Sequence, residues 1–279
     1  MGNTVHVNGI SLAWEERGSG PPLVLIMGLG ADRSAWEQHA RAWERHFRCI
    51  LVDNRGAGES DHPAGSYSTA QMADDYAGLV TALGLSSVQV VGISMGGAIA
   101  QQLALRHPQM VRAMVLASTW ARCDLYMASV FRHFATMRGQ TNAADFTQLL
   151  QLWIWSPEST ERMKEDLRAA REDASRAAAE GRWMPQSAFE AQCEACIHHD
   201  TTNELCNIHV PVLLTAGSED IFTPVRCARY LHQNLEGSEL KLFPECAHVH
   251  HWEALEEFNS FTMHWLLNHA NASAMGGGR

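Results

Sequence analysis

Val88-Gln89-Val90-Val91-Gly92-Ile93-Ser94-Met95-Gly96-Gly97 carries an apolar run into a serine, with glycines two residues before and two residues after it. The pattern G-x-S-x-G at the end of a strand and the start of a helix is a sharp turn that lifts a serine hydroxyl above a parallel sheet. Glycine is required on both sides for a steric reason. The turn is strained, and a Cβ at either position would collide with the adjoining strand or helix. The first helical N–H groups, beginning with Met95, then point at the space beside the hydroxyl, where they and the helix dipole favour negative charge. The flanks agree: Ser87 to Val91 reads as a short buried strand. Ala98, Ile99, Gln102, Leu103, Leu105 and Arg106 recur at helical spacing until His107-Pro108 ends the helix.

Outward from this turn, strands and helices alternate. Asn8-Gly9 joins Val5–Val7 to Ile10–Leu12 as a hairpin. Leu23 to Met27 is a continuous apolar run, as expected of a strand covered on both faces. A helix is expected from about Ala35 to His46, a strand from Cys49 to Asp53, and a helix capped by Thr69 that ends near Gly84. Val111 to Ala117 is another buried strand. The alternation resumes with Val212 to Ala216, Leu240 to Phe243 and a last helix near Glu256 to Leu267. Such a rhythm predicts a parallel sheet wrapped by helices.

The rhythm breaks between about Thr119 and His209, which is helical in pattern and rich in aromatic residues. The segment reads as a lid over the serine, though most of its aromatic side chains are expected to pack a small core of its own. The organisation is therefore a core of residues 1–118 and 209–271, a helical lid of residues 119–208 and an unstructured tail of residues 272–279.

Composition narrows the function. The chain has 279 residues, which fits one large α/β domain with an insertion. A net charge of −10, from 21 Lys and Arg against 31 Asp and Glu, argues against nucleic acid or an anionic membrane as partner. No stretch is long and apolar enough to span a bilayer and no signal peptide opens the chain, so a cytoplasmic location is expected. His6 stands where a myristoylation signal starting at Gly2 wants Ser or Thr. Seven scattered cysteines read as free thiols, and Cys193-x-x-Cys196 lacks a second pair at zinc spacing. Neither a metal nor a cofactor is expected.

A serine hydroxyl needs a base to become a nucleophile, and the base needs an orienting carboxylate. For a serine on this turn both lie past later strands, in the chain order Ser, then Asp or Glu, then His. Asp220 follows the strand Val212 to Ala216, and His248 follows Leu240 to Phe243. Rivals exist: His250 and His251 stand close to His248, and Asp124 follows the strand ending at Ala117. Asp53 and Arg55 read as a structural turn and ion pair.

Four motifs together cover nearly the whole core. They are Met27-Gly28-Leu29-Gly30, Asp53-Asn54-Arg55-Gly56-Ala57-Gly58-Glu59-Ser60, the turn at Ser94, and His248-x-x-His251-x-Glu253 with Phe258-Asn259. On these the chain resembles the α/β-hydrolases, and most closely the lid-bearing branch that holds the β-ketoadipate enol-lactone hydrolases and the macrolide esterases. The resemblance implies a mostly parallel eight-stranded sheet flanked by helices, with an inserted helical lid. It carries the nucleophile onto Ser94, the acid onto Asp220 and the base onto His248, with oxyanion donors at the backbone N–H groups of Leu29 and Met95. Three positions depart from the family pattern: Met27 stands in place of a frequent histidine, Ala247 in place of glycine, and Leu255 in place of proline. None removes a reacting group.

A serine nucleophile implies acyl transfer on a carboxylic ester or lactone. The relatives that attack carbon directly use aspartate at this position. Expected substrate contacts are Gly28 and, from the lid, Trp120, Arg122, Trp153 and Trp155. The lid from Thr119 to Ile208 carries thirteen acidic and nine basic residues, net −4. A lid of that sign gives no help to a dicarboxylate such as the enol-lactone acid unless one arginine, with Arg122 the candidate, points inward. Enol-lactones, simple esters and macrolide-type lactones are the candidate substrates. The same triad also serves relatives that cleave carbon–carbon bonds of ring-fission products or act with peroxide, and relatives that only bind a signal molecule.

Overall fold

A computed structural model of the chain describes residues 2–270. Eight strands form one sheet: β1 (Asn3–Val7), β2 (Ile10–Arg17), β3 (Pro22–Ile26), β4 (Arg48–Val52), β5 (Val88–Ile93), β6 (Val111–Ala117), β7 (Val212–Gly217) and β8 (Glu239–Phe243). Their spatial order is β1-β2-β4-β3-β5-β6-β7-β8. β1–β2 and β2–β4 pair antiparallel, and every other neighbouring pair is parallel. The hairpin at Asn8-Gly9 forms as its sequence dictates, both residues having positive φ (47° and 77°).

The helices are α1 (Glu37–Trp43), α2 (Thr69–Ala82), α3 (Met95–Arg106), α4 (Leu125–Gln140), α5 (Ala143–Ile154), α6 (Pro157–Arg162), α7 (Lys164–Ala179), α8 (Gln186–Ile197), α9 (Val225–Asn234), α10 (His250–Glu253) and α11 (Leu255–Asn268). Strand periodicity sends alternate residues of β3 to opposite cores. Val24 and Ile26 join α2, α3 and α9 on one face, while Leu23 and Leu25 join Trp43 of α1 and Phe258 of α11 on the other. Helices α4 to α8 all fall between β6 and β7.

Several boundaries differ from the sequence reading. Ser68, not Thr69, caps α2: its Oγ accepts from the Gln71 N–H at 3.0 Å, and Thr69 is the first helical residue. The helix expected from Ala35 is a 3₁₀ turn, Arg33–Trp36, running into the shorter α1. Asp53 and Arg55 do not pair with each other. Asp53 takes Arg33, and Arg55 takes Asp75 at 2.7 Å in a fully buried pair. Nor do the aromatics of the inserted segment form a separate core. Phe131, Phe134, Phe146 and Phe189 belong to the same cluster as Val24, Ile26 and Val90 of the sheet. The tail expected at 272–279 lies outside the described residues. Among the described residues no helix is long and apolar enough to cross a membrane.

Candidate active site

Ser94 has φ 56° and ψ −118°, a backbone conformation that crowds a side chain. Neighbouring sterics and hydrogen bonds hold it there. Its N–H donates to Ala117 O at 2.8 Å, and its carbonyl accepts from Thr119 Oγ1 at 2.8 Å. A Cβ on Gly92 would stand 2.4 Å from Gly96 O, and one on Gly96 would stand 2.0 Å from Ile26 O. Both glycines are therefore obligatory, as the close packing of the turn demands.

The loop after β3 passes alongside the hydroxyl. A Cβ on Gly28 would meet Ser94 Cβ at 3.2 Å and Ser94 Oγ at 3.8 Å. Two buried side chains fix this loop. Asn54 Nδ2 donates to Met27 O at 2.8 Å, and Gln192 Oε1 accepts the Gly30 N–H at 3.0 Å while its Nε2 donates to Arg55 O at 2.8 Å. Between these anchors the Leu29 N–H has no partner, and neither has the Met95 N–H at the start of α3, among the described residues.

Past β7 and β8 the chain brings Asp220 and His248 together. Asp220 Oδ2 accepts from His248 Nδ1 at 2.9 Å. Its other oxygen accepts the N–H groups of Phe222 and Thr223, both at 2.8 Å, and the Thr223 hydroxyl lies 2.7 Å from Oδ2. Burial pushes the Asp220 carboxyl up, but the His248 imidazole and the Thr223 donors outweigh it and leave the group below its ordinary value. Asp220 thus stays ionised and holds His248 in one orientation. Ser94 and His248 border the same cavity, of about 580 Å³. No hydrogen bond joins their side chains among the described residues; without substrate, such contacts are often long and tighten in the reacting complex.

The rivals have other work. Asp124 caps α4, accepting the Met127 N–H at 2.9 Å, and pairs with Arg226 at 2.8 Å. His250 is buried between Ser118 Oγ at 3.1 Å and Thr215 Oγ1 at 2.9 Å. His251 meets His39 at 3.1 Å. Glu253 ties the His248 loop to the helical segment, its carboxylate accepting the N–H groups of Ala247 and, at 2.7 Å, of Ser156.

Of the expected substrate contacts, Gly28 lines the cavity and the four lid residues do not. Trp120 is buried against Phe131 and His199, because it follows β6 directly and turns into the core. Arg122 is exposed and its backbone bridges to Asp200. Trp153 packs on Phe134 and Tyr126, and Trp155 stacks on Trp252 at 6.2 Å. The cavity wall comes instead from Phe134, Phe146, Phe189 and Phe222, together with Arg138 and Trp183. Phe222 also lies 4.9 Å from the His248 ring. Nothing local in the sequence distinguishes these residues, or Gln192, from ordinary packing positions.

Residues 21–255 match the family model for the alpha/beta hydrolase fold, and the chain belongs to that family. It is 27% identical over 249 residues to the proposed carbamate hydrolase RutD of Caulobacter sp. (strain K31), covering 89% of this chain and 91% of that one. It is also 27% identical over 239 residues to 3-oxoadipate enol-lactonase 2 of Acinetobacter baylyi, covering 86% of each. Among solved structures, the enol-lactonase from Burkholderia xenovorans LB400 superposes with a TM-score of 0.85 at 26% identity, covering 95% of this chain and 100% of that one.

Proposed function

We propose that the protein is a serine hydrolase that cleaves a carboxylic ester or lactone through an acyl-enzyme on Ser94. The observation that carries this reading is the Asp220–His248 pair at 2.9 Å, whose imidazole borders the cavity that Ser94 also lines. With Nδ1 engaged by Asp220, Nε2 of His248 is the nitrogen free to take a proton. It accepts the Ser94 proton as Oγ bonds to the carbonyl carbon. The carbonyl oxygen becomes an oxyanion between the N–H groups of Leu29 and Met95. His248 then gives the proton to the departing alkoxide; in a lactone that group stays tethered to the acyl chain. Water, deprotonated by His248, attacks the acyl carbon, the serine leaves with the proton, and the acid is released.

Asp220, ionised throughout, stabilises the imidazolium in both halves. Helices α4 to α8 act as the lid, closing the cavity above the reacting atoms. The relatives named as enol-lactonases support the ester and lactone reading, and the volume suits a small substrate. A carbamate carbonyl is open to the same attack, which the likeness to RutD makes a second reading. Intact-mass analysis after exposure to a fluorophosphonate tests the nucleophile: one adduct on Ser94 is expected, absent in Ser94→Ala. A wild-type protein that stays unmodified, or an adduct that persists in Ser94→Ala, overturns the assignment. A panel of enol-lactones, simple esters, macrolides and carbamates then ranks the substrates.

A further inference from the structure

His251 stands three residues past His248, in α10, and lines the same cavity as Ser94 although it is only 1% exposed. Its surroundings fix which ring nitrogen carries the proton. Asn259 Oδ1 lies 2.6 Å from His39 Nδ1, and an amide oxygen can only accept, so the His39 Nδ1–H donates. Burial pulls His39 down to about 4 and holds His251 well below its ordinary value, where His39, His250 and His248 push the same way. Both rings are therefore neutral, and a neutral imidazole with a proton on Nδ1 has a bare Nε2. His39 Nε2 then accepts from the His251 Nδ1–H at 3.1 Å. The count ends at His251 Nε2, which keeps a lone pair and no hydrogen.

No protein group donates to that nitrogen among the described residues, and it is not one of the fully enclosed side-chain atoms left unpaired there. It is thus open to a small molecule, and the cavity is the space the ring borders. Trp252, His39 and Phe258 pack around the ring, with centroids 4.5, 5.2 and 5.9 Å away. An acceptor in a wall made largely of phenyl rings is costly to leave unpaired. A site that holds one for a substrate hydroxyl rejects the analogue lacking that hydroxyl. The mechanism says which half of the substrate lies there. His248 gives its proton to the departing alkoxide, so the alcohol half of an ester must sit against the segment carrying His248. Val249, His251 and Trp252 of that segment all line the cavity.

We propose that His251 Nε2 accepts a hydrogen bond from a hydroxyl on the alcohol half of the substrate, so that the preferred ester is a mono-ester of a diol or polyol. His251 is then a specificity-determining residue, and the pair His39 and Asn259 positions it by fixing its tautomer. This assignment rests on the serine-hydrolase reading of the cavity, but its binding half can be tested without turnover.

Two matched esters make the kinetic test, 2-hydroxyethyl butanoate and propyl butanoate, which share the acyl group and differ by a hydroxyl in place of a methyl. Followed by pH-stat, wild type is expected to favour the hydroxyl ester at least ~5-fold in kcat/KM, against the greater apolarity of its partner. His251→Phe, which keeps an aromatic ring but no acceptor, lowers that ratio about 10-fold, chiefly through KM, and His251→Gln keeps part of it. A wild-type ratio at or below one, or equal losses on both esters in His251→Phe, overturns the proposal. Should His251→Phe fail to fold, the wild-type ratio and His251→Gln still decide. The second arm uses nitrogen NMR on Ser94→Ala carrying ¹⁵N-histidine, with the His251 signals assigned by their loss in His251→Gln. Nε2 is expected to be unprotonated in the free protein and to shift saturably with 2-hydroxyethyl butanoate but not with propyl butanoate. A protonated Nε2, or the same response to both esters, overturns the proposal. The expected shift with neither ester cleaved by wild type upholds the hydroxyl site, and the hydrolase reading alone fails. Cleavage of both esters without preference and without the shift removes the hydroxyl site and leaves the hydrolase reading standing.

Discussion

The two ends of the cavity are built on opposite principles. At the strand end, every residue of β5 and of β7 is buried, and backbone contacts around Ser94 leave no room for a methyl group at Gly92 or Gly96. At the helical end, α7 buries only Leu167 and Ala174 of its 16 residues, and position is set by side chains such as Gln192, Glu253 and Phe222. The first arrangement fixes the turn at Ser94 through backbone packing, as a pre-organised site requires. The second exchanges side chains without disturbing the backbone of the sheet. A family can therefore keep one reaction while its members differ in what they bind.

Mutations can break that contrast. Ser94→Ala is expected to lower kcat by a factor on the order of 10⁴ or more with an unchanged melting temperature, because the hydroxyl makes no hydrogen bond that the fold needs. Steady-state kinetics and a thermal melt on the same sample check both halves. Asp220→Asn should cost roughly 10³–10⁴-fold in kcat, since the amide favours the wrong histidine tautomer. If activity survives that change, the carboxylate at 2.9 Å is not the one orienting His248.

A paired glycine experiment asks about stability. Gly96→Ala places a methyl 2.0 Å from Ile26 O and should destabilise by more than ~3 kcal/mol. Gly139→Ala, within α4, meets nothing nearer than Gln186 Nε2 at 3.4 Å and should stabilise by about 0.5–1 kcal/mol. Denaturant melts giving similar effects for the two would erase the distinction between the ends.

Acid sharpens the same contrast. Burial depresses His39 and His199 to about 4 and His250 to about 3, and holds His251 well below its ordinary 6.5. These groups stay neutral when folded and take up protons when unfolded. Their contribution is therefore complete above pH 6.5 and drains away as pH falls from 6.5 toward the folded values near 4. Each histidine adds a slope of up to ~1.4 kcal/mol per pH unit. Asp220, depressed below 3.8, loses its share only under more acidic conditions; Asp53 and Asp75, raised by burial, act in the opposite direction. Urea midpoints between pH 7.5 and 5 should fall steeply, and a flat profile would contradict the burial of these rings. The smallest effect is expected for Asp124→Asn. The side chain of Asp124 caps α4 and meets Arg226 at the surface, so activity should stay within about 3-fold and stability within ~1 kcal/mol. A loss comparable to that of Asp220→Asn would move the orienting carboxylate to Asp124.

The strand positions near Ser94 were legible because their physics is local. A run buried on both faces must be continuously apolar, and a turn with positive φ at Ser94 requires small neighbours, so Val88–Gly97 could hardly read otherwise. Chain order and strand ends offered Asp220 and His248 beside the rivals Asp124, His250 and His251, and the structure brings Asp220 and His248 to 2.9 Å. The misreadings share one cause. Asp53 and Arg55 are two residues apart, but their partners, Arg33 and Asp75, lie about twenty residues away in opposite directions. Proximity along the chain was a poor guide to pairing. Trp120, Trp153 and Trp155 also read as a binding wall, but each packs against side chains distant in the chain, Trp120 on Phe131, Trp153 on Phe134 and Trp155 on Trp252.

Sequence by itself determined the alternation of strands and helices and the turn at Ser94, since each is written in periodicity or in residues only that geometry accepts; it offered Asp220 and His248 beside rivals, and the structure pairs these two. Tertiary structure alone decided which side chains wall the cavity, that Gln192 clamps the loop at Gly30, and that Arg138 rather than Arg122 faces inward. Amphipathic helices announce a buried stripe, but the partner that stripe meets depends on how each helix packs against distant parts of the chain. A helix docked with a different rotation would carry the same residues and present another charge to the substrate.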